Sequence, residues 1–524
     1  MKNILNKKSL LKRLTFFISV ILIFTLVFTV TIEALEKDNP YIFLTWEDNP
    51  QTTQTITWVS EHKTDDYKLY YRDQKGEDEY SNYIKPARHT FEDTKNWIYS
   101  AKLTELTADT EYDVEIRLGN KEIEEFYFET LPRNEEITFI TGSDSQTKLD
   151  PKRRKVKRYI HKLAAHLEPD FVVFTGDHID NPLSNDDWNW WLEDWDELMI
   201  TEKGRRIPII STLGNHEVSG AYAKDKKDAR FYYNYFHLPG NEKYYSLELT
   251  NDVLLISLDS GHTSSIGGEQ TKWLSKTLKN HQDKETIIVQ KHISAWPTSR
   301  KFYNEFSSSI REYWVPLFEK YDVDLVLEGH EHTFKISEPL TISSITSKIK
   351  EDVVQGMEKA EKNFDPEADY SPWSNQTLQK ISSGNWDKTD LENIDQAMEE
   401  LIYQLALYNK QTENFKEQSI LDSTIETPFY KKYWNQKMNK LGKEKLINPE
   451  KGVIYLGDGG WCAELRYPYN AEDTWYLRRT AQVHNFNIVT VKNNGKDINI
   501  KTKFINPILI KKEGDSIEFE PDLH

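Results

Sequence analysis

Five polar patches that follow five apolar runs limit the fold of this chain more than any other feature of its sequence. The runs are rich in β-branched and aromatic residues, and they occupy residues 137–140, 171–174, 207–210, 287–289 and 323–327. Continuous apolar runs of this length are typical of strands buried on both faces of a sheet. Such sheets bind ligands at the carboxyl ends of their strands, which is where all five patches lie. The sequence therefore predicts an α/β fold with a binding site along one edge.

The five patches contain side chains that suit a pair of metal ions. In chain order they read Gly-Ser-Asp-Ser-Gln (142–146), Gly-Asp-His (176–178), Gly-Asn-His-Glu (214–217), Gln-Lys-His (290–292) and Gly-His-Glu-His (329–332). Two divalent cations about 3.5–4 Å apart can hold a phosphate together with a bridging water. Such a pair needs a bridging carboxylate, for which Asp177 is the candidate, together with hard oxygen ligands and neutral imidazoles.

The remaining candidate ligands follow from spacing and residue type. Asp144 and Gln146 stand two residues apart, as do His330 and His332, so both members of each pair can face one ion. An amide oxygen is available from Asn215. His292 supplies a further imidazole. Taken singly, the patches have ordinary structural explanations, such as a turn, a structural histidine or an Asn helix cap. Their common order at strand ends favours the metal site.

This order resembles the calcineurin-like metallophosphoesterase superfamily, whose pattern is Asp-x-His, Gly-Asp, Gly-Asn-His-Asp/Glu, His and Gly-His-x-His. The resemblance covers residues 135–338 and a closing segment at 450–510, with familiar linking and closing stretches at 258–274 and 452–460. It implies a four-layer α/β/β/α sandwich. To one metal it assigns Asp144, Gln146, Asp177 and His332. To the other it assigns Asp177, Asn215, His292 and His330.

The same resemblance implies an activity. Phosphate esters would be hydrolysed by a hydroxide that bridges the two metals, with Asp177 and His216 as the catalytic residues. His216 would stand beside the metals and protonate the leaving oxygen. Asn215, His216 and His178 are the expected substrate-binding residues, although a structural role is the alternative for His178. Glu217 is expected to orient His216 or a metal-binding loop.

Gln146 departs from the family pattern, which has His at this position. Because an amide oxygen is a harder and weaker ligand than imidazole, that site should favour Mn, Mg or Ca over Zn. The alternative is that Gln146 only donates and accepts hydrogen bonds. The expected cofactor is therefore two divalent ions drawn from Mn, Fe, Zn, Mg or Ca.

A second domain precedes the metal-binding part. Alternating strands are predicted at residues 41–46, 55–59, 67–71, 112–118 and 126–128, which indicates an immunoglobulin-like sandwich over 38–132. The stretch 103–112 resembles the tyrosine corner of fibronectin type III domains, with Tyr112 as its tyrosine. Such a domain ahead of the phosphoesterase is similar to purple acid phosphatases. Those enzymes have Gly-Asp-x-x-Tyr, whose phenolate binds Fe(III), whereas this chain has Asp180 in place of the tyrosine. A colourless enzyme without an Fe(III) site is therefore expected.

Three further segments carry structural predictions. The basic run 152–158 begins a helix with apolar residues at 156, 160, 163, 164 and 167, so a solvated helix face is expected, with attraction of anionic substrate as the alternative. Trp188, Trp191 and Trp195 share one helical face and are expected to pack against the sheet rather than to form a substrate rim. The segment 340–448 is predicted to be a helical insertion, because apolar residues at 391, 394, 398, 401, 402 and 405 have helical spacing. A lid over the site is its expected role, with plain stabilisation or partner docking as alternatives.

The N-terminus predicts export. Five basic residues lie within positions 2–13, ahead of an uncharged stretch at 14–32. A basic flank followed by an apolar core is typical of a signal peptide, and the length also suits a membrane anchor. Either interpretation of residues 1–35 places the rest of the chain outside the cytoplasm, secreted or anchored.

Composition excludes some classes of function. The net charge of −18 argues against binding to duplex nucleic acid, which requires a basic footprint. The single cysteine, Cys462, excludes an internal disulfide. The predicted partner is a phosphate-ester substrate, with membrane contact only through the N-terminal segment. Hydrolysis of monoesters is favoured, and a diesterase acting on nucleotides or lipid head groups is the alternative. An inert surface binding protein is the alternative from a different class.

Overall fold

The computed structural model describes residues 40–505, apart from 77–79, 81, 369, 371–393, 426–432, 434–445, 447–451, 458, 471–473 and 493. The predicted export segment and Leu391 of the insertion lie outside the described residues. Among the helices of the described part, none is both long and apolar enough to cross a membrane.

Eight strands form an N-terminal β-sandwich. They are β1 (Tyr41–Thr45), β2 (Gln54–Ser60), β3 (Tyr67–Asp73), β4 (Asn82–Ile84), β5 (Ala87–His89), β6 (Trp97–Leu103), β7 (Glu111–Leu118) and β8 (Lys121–Glu129). Their order is β1-β2-β6-β5 in one sheet and β4-β3-β7-β8 in the other. The backbone N–H of Thr107 donates to Tyr112 Oη at 2.9 Å, which is the hydrogen bond of a tyrosine corner. The predicted all-β domain is confirmed.

The sandwich packs directly on the α/β part through aromatic side chains. Trp46, only 1% exposed, meets Phe171 of the first α/β strands edge to face at 5.9 Å between ring centroids. Phe43 makes a similar ring contact with Phe236 at 5.6 Å. One apolar core therefore runs from the sandwich into the α/β part.

The first α/β sheet has five strands, and two helices lie in the connections between the first three of them. Its elements are β9 (Ile137–Gly142), α1 (Pro151–His166), β10 (Phe171–Phe174), α2 (Asn185–Leu198), β11 (Ile209–Ser211), β19 (His484–Lys492) and β20 (Asp497–Ile505). The order is β11-β10-β9-β19-β20, with β9, β10 and β11 parallel and the last two strands antiparallel. The carboxyl ends of β9, β10 and β11 thus meet at one edge.

The second sheet has seven strands in the order β12-β13-β14-β15-β17-β16-β18. The elements from 230 to 337 are α3 (Arg230–Tyr235), which follows a 3₁₀ turn at Lys226–Ala229, then β12 (Tyr245–Glu248), β13 (Val253–Leu258), α4 (Glu269–Asn280), β14 (Thr286–Lys291), α5 (Glu305–Tyr313), α6 (Val315–Lys320), β15 (Leu325–Glu328) and β16 (Phe334–Ser337). The sheet is completed by β17 (Ile454–Gly457) and β18 (Leu477–Ala481). Strands β13, β14, β15 and β17 are parallel.

Both faces of this second sheet are buried, as its apolar runs predict. In β14, Ile288 belongs to the core shared with the first sheet, whereas Ile287 and Val289 belong to the core under the outer helices. Alternate residues of a strand point to opposite faces, so the sheet has apolar layers on both sides. The predicted four-layer α/β/β/α arrangement is confirmed.

The insertion is helical and packs on the outer core. Its described helices are α7 (Ser343–Asn363), α8 (Ile394–Gln411) and α9 (Glu417–Ile425). Met398, Leu401 and Ile402 of α8 are at most 1% exposed and share a core with Val353 of α7. The helical spacing that begins at residue 394 is therefore confirmed.

Helix α1 corrects one expectation and α2 confirms another. Asp150 caps α1 by accepting a hydrogen bond from Lys152 N, and Pro151 occupies a first-turn position that suits proline. A fully solvated basic face is wrong, because Lys157 is 1% exposed and lies 2.8 Å from the buried carboxylate of Asp194. That partner lies on the next helix, and a buried cation needs such a counter-charge. Trp188, Trp191 and Trp195 of α2 are buried, as packing against the sheet predicts.

Candidate metal centre

The predicted ligand loops converge where the two sheets present the carboxyl ends of their strands. Each loop leaves its strand through a tight turn, and four of the predicted ligands adopt the left-handed backbone conformation that such a turn requires. Their φ angles are 60° for Asp144, 57° for Asp177, 72° for His330 and 52° for His332. Left-handed backbone at residues other than glycine costs free energy and is concentrated at functional sites.

Among the described residues, two groups of side chains could each hold a metal ion. Within each group, the potential ligand atoms all lie within 4.8 Å of one another. One consists of Asp177, His292 and His330, and the other of Asp144, Asp177 and His332. His292 Nε2 lies 3.2 Å from Asp177 Oδ2, and His332 Nε2 lies 3.1 Å from Asp144 Oδ1. Asp177 belongs to both groups, which is the position of a bridging carboxylate.

Two of the imidazoles are oriented by backbone carbonyl groups behind them. His292 Nδ1 donates to Thr175 O at 2.8 Å, and His332 Nδ1 donates to Glu464 O at 2.8 Å. With Nδ1 hydrogen-bonded to its carbonyl, each Nε2 faces the centre. Metal-binding histidines are typically held in this way.

Unsatisfied polar atoms indicate that a cation fits this centre. Asp144 Oδ1, Asp177 Oδ2 and Gln146 Oε1 are buried and accept no hydrogen bond. His292 Nε2 and His330 Nδ1 face each other at 3.1 Å. Buried carboxylate oxygens without donors are costly, and a bound divalent ion would satisfy them. Aspartate and histidine together are ligands that Mn, Fe and Zn accept.

Asn215 and Gln146 complete the set predicted from the sequence. Asn215 Oδ1 lies 3.2 Å from His292 Nε2, so its amide oxygen faces the Asp177–His330 group. Gln146 Nε2 lies 3.2 Å from His332 Nε2. Since the oxygen and nitrogen of a terminal amide can exchange places by a half-turn of the side chain, Gln146 can offer its oxygen at the same point. All seven predicted ligands are thus gathered in one place.

At Asp177 and His292, neighbouring charges oppose the effect of burial on the pKa. Burial raises the pKa of Asp177, but His292 and His216 outweigh it and hold that pKa well below its usual value. Burial lowers the pKa of His292, whereas the Asp177 charge raises it to about 9. For His330, burial lowers the pKa well below its usual value, and Arg300 adds to that effect. His330 is therefore neutral, while a cation binding at His292 would replace a proton there.

His216 stands at the rim of the centre, with 30% of its side chain exposed. Its Nδ1 donates to Asp180 O at 2.8 Å, which turns Nε2 toward Asp177 Oδ2 at 3.9 Å. Burial lowers the pKa of His216, but Asp177 and the Asp180 hydrogen bond outweigh it and raise the net pKa. The residue is thus placed to carry a proton close to the ligands without belonging to either metal group.

Glu217 ties two ligand loops together. Its fully buried carboxylate accepts hydrogen bonds from the backbone N–H groups of Asp177, His178 and Gly214 at 2.7–2.9 Å. Of the two roles expected for Glu217, this geometry favours the orientation of a metal-binding loop. His178 is 1% exposed and its Nε2 lies 3.0 Å from Ser211 Oγ, among the rings of Trp191 and Phe236.

Glycines permit the close approach of these loops at two positions. At Gly176 the φ angle is +95°, and a Cβ would lie 2.7 Å from Gly214 N. A Cβ at Gly214 would lie 2.3 Å from Asp177 Oδ1. Neither position has room for a larger residue, so the Gly-Asp and Gly-Asn-His-Glu patches need their glycines for packing.

Sequence reasoning missed the contribution of the closing segment near 460. Cys462 Sγ donates to Ser145 O at 3.1 Å, and burial raises the pKa of the Cys462 thiol to about 12, so this cysteine braces the first ligand loop as a neutral thiol. Arg466 N donates to His332 O at 3.0 Å. These contacts join residues more than 130 positions apart, and no local motif announces them. Asp180, at the position of the family tyrosine, contacts His216 instead of either metal group among the described residues.

Comparisons with known proteins find relatives of both the N-terminal and the α/β part. Residues 143–334 match the calcineurin-like phosphoesterase family, and residues 26–130 match the N-terminal domain of purple acid phosphatases. An uncharacterized protein from Mycobacterium tuberculosis (strain ATCC 25618 / H37Rv) is 32% identical over 195 residues, which cover 33% of this chain and 36% of that protein. A purple acid phosphatase from Glycine max is 25% identical over 301 residues, covering 54% and 62% of the two chains.

A solved structure extends the likeness to most of the fold. The purple acid phosphatase from yellow lupin (Lupinus luteus) superposes with a TM-score of 0.57 at 15% identity, covering 89% of this chain and 72% of that one. At this identity the likeness concerns the fold alone. The chain spans 36% and 62% of the lengths of the two curated relatives above. Both matched domains occur in the predicted order, so the chain carries a calcineurin-like phosphoesterase domain that follows the N-terminal domain of purple acid phosphatases.

Proposed function

We propose that this chain is a dinuclear-metal phosphoesterase that hydrolyses phosphate monoesters outside the cytoplasm. The observation that carries the proposal is the convergence of Asp144, Asp177, His292, His330 and His332, with buried carboxylate oxygens that accept no hydrogen bond. The matched family and the purple acid phosphatase relative support the same reaction class.

We assign the ligands as the family resemblance implies. Asp144, Gln146, Asp177 and His332 would hold one ion. Asp177, Asn215, His292 and His330 would hold the other. Two divalent ions supply neutralisation of phosphate oxygens and a water of lowered pKa.

The residues of the chain then have separate tasks. As the oxygen of water bonds to phosphorus, the ester P–O bond breaks and its electron pair stays on the departing oxygen. His216 Nε2 gives that oxygen a proton, and the hydrogen bond from His216 Nδ1 to Asp180 O keeps the ring aimed at it. Asn215 faces the same space and would hold a phosphate oxygen. For His178, its burial favours the structural role over substrate contact.

The acid role of His216 is tested with paired substrates. His216→Ala should slow an alkyl phosphate by about 10²–10⁴-fold, because a poor leaving group needs the proton, and should slow p-nitrophenyl phosphate far less. His166→Ala, at the exposed end of α1, is the matched control. Equal losses on both substrates would defeat the acid assignment.

The reaction class and the metals are tested together. Metal analysis of the purified protein should find two divalent ions per chain, and p-nitrophenyl phosphate should be hydrolysed faster than bis-p-nitrophenyl phosphate. A preference for the diester would favour the diesterase alternative, and inactivity with every metal would favour an inert binding protein. The metal-loaded protein should also lack a visible phenolate-to-iron absorption band, because Asp180 replaces the tyrosine.

Export is tested by fractionation of cells that produce the full chain. We expect the phosphoesterase activity outside the cytoplasmic membrane, since residues 2–32 have a basic flank and an apolar core. Activity confined to the cytoplasm would exclude both the signal peptide and the anchor.

A further inference from the structure

A small cavity opens beside the metal centre on the side of His216. Its volume is about 210 Å³, and its walls include Gln146, His332 and His216. The described residues that line it include none from the insertion 340–448. The cavity is smaller than the roughly 300–1,000 Å³ that accommodate whole organic ligands. A single charged group therefore fits it better than a whole substrate.

Most of the other side chains that line this cavity are cationic. They are Lys148, Arg153 and Arg466, against one carboxylate, Glu464. Glu464 is engaged by Arg153 at 3.2 Å and is largely exposed. In a chain of net charge −18, three cations against one anion reverse the overall sign locally. Such a reversal attracts anions.

One of these cations has an unused donor, and the other two have no carboxylate partner among the described residues. Arg153 Nη1 is buried and has no hydrogen-bond partner, although Nη2 of the same guanidinium contacts Glu464. Among the described residues, no carboxylate lies within 4.0 Å of the Arg466 guanidinium or of Lys148 Nζ. Buried guanidinium donors without acceptors are costly. Guanidinium groups pair well with phosphate and carboxylate oxygens, which would satisfy them.

The position of the cavity says which part of a substrate would enter it. This inference rests on the proposed function, in which His216 gives its proton to the departing oxygen. The departing group therefore lies on the His216 side. We propose that Lys148, Arg153 and Arg466 form a subsite for a second anionic group, phosphate or carboxylate, carried by the leaving group. Substrates with such a leaving group are then preferred over neutral aryl or alkyl phosphates.

The test compares two esters whose leaving groups are similar in basicity. Phenyl phosphate lacks a second charge, and 3-carboxyphenyl phosphate carries one. The protein loaded with Mn²⁺ should prefer the carboxylated ester, measured as the ratio of the two kcat/KM values. Arg466→Gln and Lys148→Gln should each lower that ratio by about tenfold, the loss expected for one charge-assisted hydrogen bond. Lys155→Gln, on the exposed face of α1, is the matched control and should keep the ratio.

A binding measurement separates this inference from the proposed function. Calorimetric titration should show that pyrophosphate binds more tightly than inorganic phosphate, and that Arg466→Gln weakens pyrophosphate binding by about tenfold and phosphate binding less. If every substrate is inert but this difference remains, the hydrolase proposal fails and the anion subsite stands. Identical kcat/KM ratios and identical pyrophosphate affinities in all variants would overturn the subsite.

Lys148→Gln also guards against a folding artefact. Lys148 is exposed and forms no ion pair among the described residues, so its replacement removes charge without removing a structural contact. An effect of Arg466→Gln without any effect of Lys148→Gln on ratio or affinity would restrict the subsite to the guanidinium. A larger loss for pyrophosphate than for 3-carboxyphenyl phosphate would assign the cavity to a second phosphate.

Discussion

Two buried clusters of charged residues lie side by side in this protein and differ in how their charges are balanced. The metal centre gathers aspartates and histidines whose buried oxygens lack donors. Next to it in sequence and space, Lys291, Glu328 and Lys335 form a triad that is at most 1% exposed. Lys291 precedes the proposed ligand His292, and Glu328 stands two residues before His330.

The triad satisfies its own charges. Glu328 accepts hydrogen bonds from Lys291, Lys335 and Ala295 N, and Lys335 Nζ also donates to Trp296 O at 2.8 Å. Burial raises the pKa of Glu328, but the two lysines outweigh it and lower the net pKa. A closed cluster of this kind needs no ligand, whereas the open one beside it does. The contrast separates a structural charge cluster from a binding site better than burial alone.

The largest expected effect comes from removing the carboxylate shared by both metal groups. Asp177→Ala should abolish metal retention and lower turnover by more than about 10⁴-fold, equivalent to over about 5 kcal/mol of transition-state stabilisation. Metal analysis and p-nitrophenyl phosphate hydrolysis measure the two losses. Asp186→Ala, exposed on α2, is the control. Full activity in Asp177→Ala would show that this carboxylate does not bridge two metal ions. The cluster with unsatisfied oxygens would then not be a metal site.

Breaking the closed cluster should affect stability first. Glu328→Gln leaves two buried ammonium groups without a counter-charge, so the free energy of unfolding should fall by about 3–5 kcal/mol. Denaturant titration measures this loss. Glu269→Gln, in an exposed pair with Lys272, should leave the unfolding free energy unchanged within error. An equally small effect of Glu328→Gln would mean that the triad is not the balanced cluster described above.

The open cluster was predictable from sequence and the closed one was not. Proposed ligands such as Asp177 and His330 follow directly after apolar strand runs, and the edge of a parallel sheet brings such positions together. Lys291 and Lys335 sit inside strands, and nothing local indicates that Glu328 lies between them. Long-range partners also explain why Lys157 was expected in solvent, since Asp194 is supplied by another helix.

Whether a strand could be predicted depended on the local pattern of apolar residues in its sequence. Continuous apolar runs predicted β9, β10, β14 and β15, because burial on both faces leaves no polar alternation to misread. Strands β4 and β5 are only three residues long, and β6 carries Ser100 and Lys102 among its apolar residues. Such short or mixed segments depend on neighbours in the sheet for their conformation. The cationic cavity likewise joins Lys148 to Arg466 across distant segments.

The pKa values of two buried histidines, His161 and His292, extend the comparison to the pH dependence of stability. His161 is fully buried like His292, but Asp177 does not face it, and burial lowers its pKa to about 4. The unfolded state, with a pKa of about 6.5, binds the proton more readily, so stability is lost as pH falls from about 6.5 to 4. The difference in unfolding free energy between wild type and His161→Phe should shift by about 3 kcal/mol over this window. A shift near zero would show that burial does not depress this pKa.

The smallest effect concerns which ion the open cluster selects. Gln146→His replaces a hard amide oxygen beside His332 by a softer imidazole, so the ratio of Zn²⁺ to Mn²⁺ affinity should rise by about tenfold, or about 1.4 kcal/mol. Competitive titration of the metal-free protein with both ions measures this ratio. Gln282→His, on an exposed turn, controls for an added surface histidine. An unchanged ratio would mean that Gln146 only exchanges hydrogen bonds with its neighbours. In that case the unsatisfied oxygen of Gln146 would not mark a metal position. A buried oxygen without a hydrogen-bond donor would then not be enough by itself to identify a binding site.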